Sequence, residues 1–110
     1  MPTKLHYHDY VSVLHGKVGK TMDLNKIREL ISNAEQELFN GMFSEKTVRA
    51  DLSARRNQKR DFYIQAFNKF IDDYRFVANT MQSSGESELA QRSTKCKEEA
   101  SRLLDIVYEY

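Results

Sequence analysis

A chain of 110 residues, 40% hydrophobic and 30% charged, has the make-up of one small folded domain with a modest core. Its formal net charge of +1 divides into 11 Lys/Arg against 7 Asp/Glu over residues 1–60 and 6 against 9 over residues 61–110. Neither half is the strongly basic domain that non-specific nucleic-acid binding needs, and the single cysteine, Cys96, excludes an internal disulfide and a cysteine zinc cage.

Residues 1–20 show partial alternation of apolar and polar positions, punctuated by Gly16 and Gly19. They read as a short strand or an extended arm, with Tyr7 and Tyr10 as candidate contacts. His6 and His8 would share one side of a strand, half of a metal site, but two histidines near a terminus read first as a surface pair. Residues 16–21, GKVGKT, resemble the end of a phosphate loop without its glycine spacing, so nucleotide hydrolysis is rejected. The opening MPTKLHYHDY lacks the apolar core of a secretory signal, and no apolar run nears the ~18 residues of a membrane span. A cytoplasmic location is the expectation.

The first helix is expected over residues 24–40. Asp23 can cap it, Leu24, Ile27, Leu30, Ile31, Ala34 and Leu38 form its apolar stripe, and Gly41 can end it. Ser44 then caps a longer segment over 45–82 with the stripe Val48, Leu52, Lys59, Phe62, Tyr63, Ala66, Phe67, Phe70, Tyr74, Val77 and Met81. Unbroken, that segment would span roughly 55 Å, too long for its neighbours. It either breaks near Asn57 or projects an N-terminal half whose Val48 and Leu52 need a second chain. The second option makes a homodimer an expectation. Ser83-Ser84-Gly85 ends the segment, and a last helix over 86–107 carries a heptad-like seam of Leu89, Ser93, Cys96, Ala100, Leu103 and Val107, widened by Leu104 and Tyr108. The fold class expected is all-α: a three- or four-helix bundle, one domain over 1–110, with a short extended N-terminal arm.

The stretch ARRNQKRDFY, residues 54–63, is the sharpest feature. Turning about 100° per residue and setting Val48 at 0°, Arg55 falls at about 340° and Lys59 at about 20°, inside the apolar stripe, with Arg56, Arg49 and Arg60 along its edge. A plain solvated face would carry these charges on the far side. The helix resets its register near Asn57, with Asp61 capping the aromatic helix beyond it; or long stems cover apolar surface; or Glu35 and Glu37 face the cations; or the face is an open binding site. Five cations, Arg49, Arg55, Arg56, Lys59 and Arg60, stand against one acid, Asp51, between positions 49 and 60.

Asp72–Asp73 and Glu98–Glu99 are adjacent pairs that point about 100° apart on a helix, so they read as surface charge. Cys96, in the seam of the last helix, reads as a buried inert thiol. No catalytic, metal or cofactor site is indicated. The function expected is a small non-enzymatic helical protein that binds a protein partner as an adaptor, regulator or inhibitor, through a helical surface and as a homodimer. The alternative is a helical DNA- or RNA-binding protein that uses residues 49–60.

Overall fold

The computed structural model describes residues 23–110, excluding the side chains of residues 55–57. The expected N-terminal arm, with Tyr7, Tyr10 and the three histidines, lies outside the described residues. What is described is an all-α bundle: α1 (Leu24–Phe39), α2 (Glu45–Ser83) and α3 (Ser87–Glu109). It counts as four helices because α2 doubles back on itself.

The starts of α1 and α2 follow the local chemistry. Asp23 is extended, and its carboxylate accepts the amides of Asn25 at 3.0 Å and Lys26 at 3.4 Å, groups that no helical carbonyl can serve. Ser44 accepts the Thr47 amide at 3.5 Å to open α2. Between them, α1 ends at Phe39 with Asn40 as its C-cap. Gly41 does not end the helix through a positive φ, as the sequence suggested. Its place is steric, since a Cβ there would meet Glu37 Cα at 3.0 Å. Among the described residues the positive-φ glycine is Gly85, φ 76°, in the turn from α2 to α3.

The fold of α2 is decided by reach. Straight, its 39 residues would measure about 58 Å; the structure's longest dimension is 45 Å. Phe43, just before the helix, has its ring centroid 5.8 Å from that of Phe67 and 5.3 Å from that of Phe70. Tyr63 reaches Asp51, twelve residues back, at 2.6 Å; on a straight helix those Cα atoms would be about 18 Å apart. The midpoints of these pairs fall at residues 55–57. The helix therefore folds into a hairpin at the expected break, although helical backbone continues through the corner. Asp61 is exposed inside the helical run and starts no new helix. No proline or glycine stands in α2 to cause the bend. Between Leu52 and Phe62 the sole apolar residue is Ala54, so a straight continuation offers nothing to bury, and folding back closes Tyr63, Phe67 and Phe70 over Phe43.

Val48 and Leu52 are fully buried within the chain. The projecting half, and the need for a second chain that came with it, are not present in this structure. The order of the remaining helices follows from ion pairs. Arg28 meets Glu88 and Arg92 meets Glu35, so α1 and α3 run in the same sense. Arg102 meets Glu45 at 2.9 Å and Tyr110 meets Arg49 and Ser53, so the first arm of α2 does likewise. The second arm returns antiparallel to α3 through residues 84–86. The Tyr74 hydroxyl donates to the Leu30 carbonyl at 3.0 Å in the core, tying that arm to α1.

The stripes expected for α1 and α3 are the buried ones, save that Leu24 is half-buried and Tyr108 lies outside the seam, about half exposed. In α2 two readings are corrected. Phe62, placed in the core by its spacing, is 44% exposed, because the corner turns it onto the outer side of Phe43. Asp73, read as surface charge, is 2% exposed; Lys69 Nζ reaches its Oδ1 at 3.0 Å, and its Oδ2 has no partner among the described residues. Sequence periodicity puts Asp73 beside Tyr74, and the buried face extends by that one residue.

Candidate partner-binding surface

The corner gathers the residues in question. Asp51 is its anchor, accepting the Tyr63 hydroxyl and standing 3.8 Å from Lys59 Nζ. Lys59 Nζ also lies 4.5 Å from the centre of the Phe62 ring and 5.6 Å from that of Tyr63, so its charge is held over aromatic faces. This is why a lysine fits within the apolar register: its stem covers rings and its head meets a carboxylate. Burial pushes the Tyr63 phenol well above its ordinary range, and the Asp51 carboxylate adds to the effect.

Arg49 and Arg60 meet the first turn of α2 and the last turn of α3. Arg60 Cζ lies 5.6 Å from the Tyr108 ring centre. Arg49 Nε donates to Glu45 at 2.8 Å. The Tyr110 hydroxyl is drawn below the ordinary phenol range by hydrogen bonds from Ser53 and Arg49. Arg102 pairs with both Glu45 and Glu99, and hydrogen bonds from Arg49 and Arg102 hold the Glu45 carboxyl below its usual range. Arg55 and Arg56 stand at the turn of the hairpin in sequence; their side chains are not described. The suggestion that Glu35 and Glu37 face the basic cluster is not met for Glu35, which binds Arg92 at 2.7 and 3.0 Å.

The corner therefore presents exposed rings among cations: Phe62, Tyr108 and Tyr110 beside Lys59, Arg60 and Arg49. Phe39 and Met42, also exposed, flank the turn whose Phe43 stacks on Phe62 at 5.9 Å. Sequence reading found the cations and missed Tyr108 and Tyr110 as their companions. The ending Tyr-Glu-Tyr was the available signal, but pairing it with Arg60 requires the hairpin.

Elsewhere the chemistry is sparse. Among the described residues no three His, Cys, Asp or Glu side chains come together to hold a metal ion. Burial raises the Cys96 thiol to about 12. An open cleft of about 380 Å³ between the end of α2 and the start of α3 is lined by small residues and amides, with Lys95 and Glu98 as its titratable groups. No described helix is long and apolar enough to cross a membrane. Comparison of the chain with protein-family models, curated proteins and solved structures finds no match.

Proposed function

We propose that this chain is a non-enzymatic, cytoplasmic helical protein that acts by binding a partner protein through the corner surface. One observation carries the reading: the hairpin brings exposed Phe62, Tyr108 and Tyr110 together with Arg49, Lys59 and Arg60. Aromatic rings and arginines are the side chains that dominate interface energetics, because they bury large areas and still satisfy polar partners. The test is a pull-down from nuclease-treated host lysate with the wild type and with Phe62→Ser/Tyr108→Ser. A partner held by the wild type and lost by the folded variant supports the proposal; equal capture by both removes the corner from it.

The nucleic-acid alternative is favoured by one feature, the tyrosines beside cations, which are the elements of a base-stacking platform. Against it, Arg49 and Lys59 already meet Glu45 and Asp51, and a phosphate would have to displace these carboxylates. Mobility-shift titrations at low and moderate salt, with wild type and Arg55/Arg56/Lys59→Ala, separate the readings. Absence of a shift at about 50 mM salt sinks the alternative.

A further inference from the structure

The corner of α2 turns against the preference of its own residues. Helical residues run without interruption from Glu45 to Ser83, with no proline or glycine among them. Across positions 54–60, Ala54, Arg55, Arg56, Gln58, Lys59 and Arg60 are strong helix formers, and Asn57 alone is a weaker one. Local chemistry at the corner therefore favours a straight helix. What bends it is the contact of one side with the other: Phe43 on Tyr63, Phe67 and Phe70, and Asp51 on Tyr63. These contacts join residues 23–54 to residues 58–110, and the corner is the covalent link between those two halves. A second copy of the chain presents the same surfaces.

We propose that two copies of this chain exchange these halves. The corner opens, α2 becomes one straight helix of about 58 Å, and residues 23–54 of each copy pack on residues 58–110 of the other. Contacts remote from the corner are remade between copies with the same partners: Phe43 with Phe67, Tyr74 with Leu30, Arg92 with Glu35 and Arg102 with Glu45. This is why exchange of a whole unit is a low-cost route to a dimer. The balance is then set at the corner. A straight helix gives segment 54–60 the regular geometry that its strong helix formers prefer. It also brings two copies of the cationic segment 55–60 towards the twofold axis, and their repulsion opposes it. Salt screens that repulsion and favours the dimer. This inference stands apart from the corner's role in binding another protein.

The test is the dimer fraction, by size exclusion with light scattering, after refolding the full chain at high concentration. Wild type is compared with Asn57→Ala, Asn57→Pro and an insertion of two glycines after Asn57. Alanine raises the dimerisation constant about fivefold through its higher helix propensity at two hinges. Proline lowers it by roughly a hundredfold or more, because it breaks the straight helix. The glycine insertion, which gives the hairpin a loose loop, yields monomer. Circular dichroism checks that each variant folds, and the insertion carries the comparison if the proline variant does not. A dimer fraction ordered alanine, wild type, then proline or insertion, and rising with salt, supports the exchange. Equal fractions in all variants, including no dimer in any, overturn it. So does a dimer whose labelled and unlabelled subunits mix at once in native mass spectrometry, since exchanged halves separate only by unfolding.

Discussion

The Tyr63 hydroxyl donates to Asp51 at 2.6 Å across twelve residues of one helical segment. The bond exists because α2 turns back on itself, and it lies between the buried wall of Tyr63, Phe67 and Phe70 and the exposed corner. Tyr63 is almost fully buried, while the Asp51 side chain keeps 35% of its surface in water. The bond to a charged but partly hydrated acceptor therefore contributes about 1–2 kcal/mol. Tyr63→Phe keeps the ring and removes the donor. It is expected to lower Tm by roughly 5–10 °C, with far-ultraviolet circular dichroism at low temperature unchanged. A Tm equal to wild type would mean that the hydroxyl does not hold the hairpin.

Leu52→Ala tests the burial of the first arm. Leu52 is fully buried against the rest of the chain, so truncation leaves a cavity and costs about 2–5 kcal/mol in denaturant unfolding. On an arm projecting into water the same change would be nearly neutral.

How much of this is legible in the sequence differs by element. The stripes of α1 and α3 can be read from spacing alone, because each helix buries one face against fixed neighbours. In α2 the displaced register of Arg55 and Lys59 announces a break, and the structure bends at that place, near Asn57. The form of the break is not visible in the sequence, since the bend comes from rings at Phe43 and Phe67, distant along the chain, and not from a local breaker. Phe62 and Asp73 are misplaced for a related reason: periodicity gives a direction around a helix, whereas burial depends on which neighbour stands in that direction. Of the candidate surface, the cations are legible; Tyr108 and Tyr110 join them only through the tertiary fold.

Ser93 is fully buried in α3, and its hydroxyl has no partner among the described residues. Such a group loses hydration without return. Ser93→Ala is expected to stabilise the chain by about 1 kcal/mol, read as a higher midpoint in urea at unchanged slope. A lower midpoint would show that the hydroxyl is satisfied.

Alkaline pH should weaken the fold in a defined order. Burial raises the Cys96 thiol from 9.0 to about 12 in the folded chain, so between those values the unfolded chain loses a proton that the folded chain keeps. Stability is intact below pH 9 and falls by up to about 1.4 kcal/mol per pH unit above it. Tyr63, raised from 10.0 in the same direction, adds its own loss above pH 10. Cys96→Ala should flatten the first part of this decline in pH-dependent unfolding, and the native thiol should resist thiol reagents at pH 8. Rapid modification of the folded wild type at that pH would contradict the burial.

The hairpin in α2 is the claim on which the corner surface and the exchange of halves both depend, and a single distance tests it. Lys46 and Asn68 are exposed on opposite arms and accept spin labels through cysteine, with Cys96 replaced by alanine. In the monomeric fraction a hairpin holds the two labels within about 20 Å, the spacing of packed antiparallel helices plus label linkers. A straight α2 sets them about 33 Å apart. The short distance is the expected result; the long one, found in the monomer, would contradict the account.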